Sequence, residues 1–159
     1  MKEVKIMNIL FLDYDGVVNT PMWDMEGKRC SYGFPRDNKV NNFQACQWVS
    51  EFCEKYGYSI VVTSTWRFDE NYAECLRNGG LRAQIEILGK TKNIGNRSDE
   101  IQKYLDEHPE IENFIIVDDD FIDEKFSKHY VWCDAIIGFT LSSFIKAEKL
   151  HQAFQHQKK

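Results

Sequence analysis

Ile9-Leu10-Phe11-Leu12-Asp13-Tyr14-Asp15-Gly16 decides how this chain is read. Four apolar residues run into two acids separated by one residue. Such a run, closed by a turn residue, reads as a strand buried in a sheet. Side chains alternate along a strand, so Asp13 and Asp15 point to the same side. Unpaired buried charge is strongly unfavourable, and a divalent cation is the obvious group to offset it. Gly16 lets the chain turn away sharply. A strand closed by a polar turn would use the same residue types. The rest of the chain has to arbitrate.

Outward from this stretch, strand and helix patterns alternate. The first strand is expected over Lys5–Leu12. Pro21, Gly27, Gly33 and Pro35 break up the following segment, read as a loop or flap over 20–38. Val40–Tyr56 has apolar residues at helical spacing, and Gly57 is a plausible stop. Tyr58–Thr63 is a second strand rich in β-branched residues. A short helix over Phe68–Asn78, a weaker strand over Gln84–Leu88 and a helix over Asp99–Glu107 capped by Ser98 follow. Phe114–Val117 is the fourth strand, Val131–Ile137 contains a fifth, and Leu141–Gln155 is the last helix. This order predicts an α/β fold: one Rossmann-like domain over 1–159, with a parallel sheet of about five strands and helices on both faces. Ligands of such sheets bind beyond the carboxyl ends of the strands.

Composition narrows the function classes. The chain has 159 residues, 43% apolar, with a net charge of −5. That balance does not suggest a generic nucleic-acid binder. From Arg77 to Arg97, however, five basic residues stand against one acid, Glu86. This is either a face for an anionic substrate or a solvated surface. The five cysteines form no CxxC pair and read as reduced packing thiols of a cytoplasmic protein. No apolar run approaches the roughly 20 residues of a membrane helix, and no signal peptide opens the chain. Neither a membrane partner nor a histidine metal site is expected.

The strand ends carry the chemistry. The first ends in Asp13 and Asp15, the second in Thr63-Ser64-Thr65-Trp66-Arg67, and the fourth in Asp118-Asp119-Asp120. Arg97 opens the helix before the fourth. The acids suit Mg²⁺, a hard cation that prefers oxygen. A hydroxyl and a guanidinium suit phosphate oxygens. Arg97 lies near a helix start, where positive charge is mildly unfavourable, and that misfit favours a role for it.

These four segments resemble the motifs of the haloacid dehalogenase (HAD) superfamily of phosphatases. The first is Phe11-Leu12-Asp13-Tyr14-Asp15-Gly16-Val17-Val18-Asn19 and the second Ile60-Val61-Val62-Thr63-Ser64-Thr65-Trp66-Arg67. Arg97 with Glu100-Ile101 and Tyr104-Leu105 fits the third, and Phe114 to Asp120 fits the fourth. More narrowly, the chain is similar to small HAD domains associated with RNA-repair proteins. The resemblance implies a phosphoric monoester hydrolase. Asp13 would be the nucleophile and form an aspartyl-phosphate, and Asp15 the general acid and base. Mg²⁺ would be held by the carboxylates of Asp13 and Asp118, the main-chain carbonyl of Asp15, and Asp119 directly or through water. Ser64 and Arg97 would hold the transferring oxygens. Thr63 is the alternative hydroxyl, because a one-residue shift on a strand exchanges faces. Lys90 and Lys92 compete with Arg97 as the third-motif cation.

The room left for a cap is small, which implies a capless or minimally capped HAD core. An open site accepts bulky phosphorylated substrates or is closed by a partner, whose identity stays open. Nucleotides or nucleic-acid ends are the candidates. Arg67 and Trp23 are candidate substrate contacts; Trp23, Tyr32 and Trp66 could stack on a base or pack in the protein. Two other classes remain: a catalytically silent or phosphate-sensing HAD-like binding module, and a phosphotransferase.

Overall fold

Alternating apolar strands and amphipathic helices can bury both faces of a sheet only by placing helices on each side. The computed structural model describes residues 5–20 and 42–158. It has strands β1 (Met7–Leu12), β2 (Tyr58–Val62), β3 (Ile87–Lys90), β4 (Ile111–Asp118) and β5 (Tyr130–Trp132). The helices are α1 (Phe43–Tyr56), α2 (Tyr72–Asn78), α3 (Arg97–Glu107) and α4 (Leu141–His156). Single 3₁₀ segments cover Thr65–Phe68 and Glu124–His129. The sheet order is β3-β2-β1-β4-β5, and every pairing is parallel.

The central strands are buried on both faces, and their alternation sorts the core into two layers. Leu10, Leu12, Ile60, Val62, Ile115 and Val117 share one layer with residues of α1, α2 and α4. Ile9, Phe11, Val61 and Ile116 share the other with Ile101 of α3 and Phe126. Truncating one of these side chains, as in Leu12→Ala, should cost about 2–5 kcal/mol through lost burial and a cavity.

Several boundaries differ from the sequence reading. The helix expected from Val40 begins at Phe43, because the Asn42 side chain caps it by accepting from the Ala45 amide at 3.0 Å; Val40 lies outside the described residues. Gly57 ends that helix as expected, in the left-handed conformation at φ 74°. The single helix expected over Phe68–Asn78 is two pieces. The Ser64 side chain starts the 3₁₀ segment, and the extended backbone of Asp69 ends it before α2. The third strand lies a few residues later than expected. Asn96, not Ser98, caps α3, its side chain accepting from the amides of Ser98 and Asp99. The expected flap, with Trp23 and Tyr32, lies outside the described residues apart from Thr20.

Cys46, Cys53, Cys75 and Cys133 are all buried, as packing groups would be, and Cys46, Cys53 and Cys133 are free among the described residues. None of the helices is long and apolar enough to cross a membrane among the described residues.

Candidate active site at the carboxyl edge of the sheet

Register brings the strand ends together. Leu12 pairs with Val62 on one side and Val117 on the other. Asp13 therefore lies between Thr63 and Asp118. The Asp13 amide donates to the Val117 carbonyl at 3.1 Å, and the Thr63 amide donates to the Leu12 carbonyl at 3.0 Å.

Past Asp13 the chain coils tightly. The amides of Val17, Val18 and Asn19 all donate to the Tyr14 carbonyl. Gly16 has φ 79°, and a Cβ there would collide with the Asp119 carboxylate. Glycine is required both for the turn and for the approach of Asp119. The loop is pinned from behind, where the Phe139 amide donates to the Val17 carbonyl at 2.8 Å.

Asp13, Asp118 and Asp119 each offer a carboxylate oxygen, and these atoms lie within 4.8 Å of one another. Asp13 and Asp118 are buried, at 6% and 1% exposure. Burial raises the Asp13 pKa well above the usual carboxylate range; Asp118's charge raises it further, and Arg97 opposes the shift. Asp119 is pushed up to about 6, chiefly by burial. One oxygen of Asp118, Oδ2, is buried without a hydrogen-bond donor among the described residues. Crowded hard oxygens, one of them lacking a donor, are the donor set that Mg²⁺ takes. The residues present fit that ion.

Asp15 is separate from this cluster. Its Oδ1 accepts from the Asn19 side-chain amide at 2.8 Å and its Oδ2 from the Trp66 indole at 3.2 Å. Its carboxylate is thus oriented by two donors on different elements. Trp66 is 1% exposed and packs edge-on against Tyr14 at 5.2 Å. It is not available to stack on a base; the packing alternative holds.

Among the described residues, Arg97 is the cation at the cluster. Its Nη1 is 3.7 Å from Asp13 Oδ1 and 3.6 Å from Asp118 Oδ2, and it donates to the Thr63 carbonyl. The rival lysines bond elsewhere. Lys90 Nζ donates to the Arg67 carbonyl at 2.7 Å, and Lys92 Nζ to Glu107 at 3.2 Å.

Ser64 and Thr63 are both buried at the end of β2. Ser64 Oγ accepts from the Trp66 amide at 3.2 Å, which leaves its O–H proton for another acceptor. Thr63 Oγ1 has no hydrogen-bond partner among the described residues, and its main-chain oxygen receives Arg97. Beside Arg97 opens a cleft of about 250 Å³, lined by Thr65, Arg67, Phe68, Asn93, Glu100 and Asp120 among others.

The family described as "HAD domain in Swiss Army Knife RNA repair proteins" matches residues 9–144. The chain belongs to this family. The match spans all four strand-end segments, from Asp13 through Asp120. No curated protein matches the chain significantly.

The HAD site also contains a pair that sequence reasoning missed. Arg67, expected as a candidate substrate contact, is 3% exposed and turned inward. Its guanidinium meets Glu100 Oε2 at 2.6 Å and the Thr63 carbonyl at 2.5 Å. Glu100 stood in the third segment of the sequence without a role. Its signal was its spacing, three residues after Arg97 and beside Ile101 of the core, where a carboxylate needs a partner.

Proposed function

We infer that this HAD domain is a Mg²⁺-dependent phosphomonoesterase working through an aspartyl-phosphate. The observation that carries the reading is the joint placement of Arg97 and the three acids. One guanidinium is held 3.7 Å from Asp13 and 3.6 Å from Asp118, beside oxygens that could hold a metal. Such a site has a nucleophile, a cation for phosphoryl oxygens and a metal locus in one place.

An Asp13 oxygen attacks phosphorus as the bond to the leaving oxygen breaks, giving an acyl phosphate on Asp13. Asp15 gives a proton to the leaving oxygen. As a carboxylate it then takes a proton from the water that attacks the acyl phosphate. Inorganic phosphate leaves and the Asp13 carboxylate is restored. Arg97 and the Ser64 hydroxyl hold the non-bridging oxygens, with Thr63 as the alternative hydroxyl. Asp13, Asp118, Asp119 and the Asp15 carbonyl would hold Mg²⁺, which neutralises the repulsion between carboxylate and phosphate when bound.

The substrate class we favour is a phosphorylated nucleotide or nucleic-acid end. The family's place in RNA-repair proteins supports it, as does the open cleft beside Arg97. Hydrolysis of an aryl phosphate should require Mg²⁺ and fall about a thousandfold or more in Asp13→Asn. Turnover that survives this change rejects the nucleophile. Oligonucleotides bearing 3′- or 5′-phosphate, assayed beside mononucleotides, test the substrate class. Equal trace rates on all of them reject it.

A further inference from the structure

Arg97 sits in the first turn of α3, where helix polarity disfavours a positive charge. It also lies close enough to a second guanidinium, that of Arg67, to lower Arg67's pKa, although burial is the larger cause. Both arginines donate to one acceptor, the carbonyl oxygen of Thr63. Two cations on one neutral oxygen do not stay together without an anion nearby.

Asp13 and Asp118 serve Arg97 at ion-pair distance; the anion on Arg67 is Glu100. It is 5% exposed, and its Oε2 receives the Arg67 guanidinium at 2.6 Å. The same oxygen accepts the Ile94 amide at 3.1 Å, from the loop that leads into α3. Three elements meet there: the segment that follows β2, through Thr63 and Arg67 of the 3₁₀ turn, the 91–96 loop through Ile94, and α3 through Glu100 itself. Arg97 stands three residues before Glu100 on that helix, on a neighbouring surface position.

We propose that Glu100 and Arg67 are positioning residues that fix the first turn of α3 against the end of β2, and so aim the Arg97 guanidinium at the phosphate site. Arg67 borders the cleft but is only 3% exposed, so its main service to the substrate runs through Arg97. This role rests on the phosphatase reading for the identity of the bound anion, but the placement of Arg97 can be measured without it.

The pair Arg67→Met/Glu100→Leu removes both charges and fills their space with apolar atoms. Such replacements of a buried ion pair commonly preserve stability. Its melting temperature should stay near wild type, while affinity for inorganic phosphate, measured by calorimetry with Mg²⁺, should fall about tenfold. Glu100→Gln should weaken phosphate by a similar factor. Neither change should weaken binding further on an Arg97→Ala background, because the effect runs through Arg97. Wild-type phosphate affinity in a folded pair variant, or full additivity with Arg97→Ala, overturns the proposal.

The signal of the Arg97 Nη1–H group, which donates to the Thr63 carbonyl, is assigned by its absence in Arg97→Ala and supplies an independent readout. It should be protected from solvent exchange in the wild type and lose protection in Glu100→Gln. Unchanged protection rejects the positioning role. If wild type binds no phosphate, the phosphatase reading fails, and the exchange measurement still decides the placement of Arg97.

Discussion

Two buried charged regions flank the end of β2, and they are built on opposite terms. On the β3 side, Arg67 and Glu100 meet at 2.6 Å, nearly sealed from solvent, and neutralise each other. On the β1–β4 side, Asp13, Asp118 and Asp119 crowd together with one guanidinium at ion-pair distance from two of them. The first region pairs its two charges within the chain, with only Arg67 Nε left without a hydrogen-bond partner among the described residues. Among the described residues the second carries excess negative charge, and its acids respond by holding on to protons, with Asp13 and Asp119 both raised. A buried charge with its partner in place marks structure; a buried charge short of one marks a locus for something the chain does not supply.

The largest expected effect breaks the complete pair. Glu100→Ala leaves the Arg67 guanidinium buried and unpaired, and should cost about 3–5 kcal/mol in denaturant unfolding. An effect near zero would mean that Arg67 finds water, and the contrast between the two regions would collapse. The crowded region should respond with the opposite sign. Asp119→Asn removes a partly buried charge and with it the repulsion from Asp118, and should stabilise the metal-free protein by about 1–2 kcal/mol at neutral pH, discounting for partial exposure. In the same variant, the melting-temperature rise on adding Mg²⁺ should shrink, since mass action by the ion acts through that cluster.

A smaller effect sharpens the contrast through pH. The Asp119 pKa rises from 3.8 for the free side chain to about 6 in the folded state. The folded protein therefore binds the proton more tightly than the unfolded chain. The destabilisation is absent below the lower value, grows between the two, and is complete above about 6. The metal-free protein should melt a few degrees higher near pH 5 than near pH 7. Saturating Mg²⁺ should flatten or reverse that slope, and Asp119→Asn should reduce it. A metal-free protein that is most stable well above pH 6 would contradict the shifted carboxyls.

The contrast also explains what was legible in the sequence. Ile9–Leu12, Ile60–Val62 and Ile115–Val117 are continuous apolar runs, so the central strands and their acidic or polar ends could be read directly. The edge strand β3, Ile87–Lys90, contains Gly89 and Lys90 and pairs with β2 alone. It has no such signature and was placed too early. Asn96 and Ser98 are both good caps, and only the backbone geometry separates them. The acid cluster was legible because costly residues recur at strand ends. The Arg67–Glu100 pair was not, since its members are far apart in sequence and lie on different elements. A lone arginine after Trp66 reads as a substrate contact, and its buried partner is visible only in the fold. Trp66 was open in the same way, and its burial against Tyr14 resolved it.

The central claim is that Asp13 forms a covalent bond to phosphorus. Mixing the protein with Mg²⁺ and an aryl phosphate, quenching in acid and mapping the phosphate-mass adduct by mass spectrometry tests it most directly. The account predicts a hydroxylamine-labile adduct on the peptide containing Asp13, absent in Asp13→Asn. Continued turnover with no adduct on that peptide, or an adduct that persists in Asp13→Asn, would contradict it.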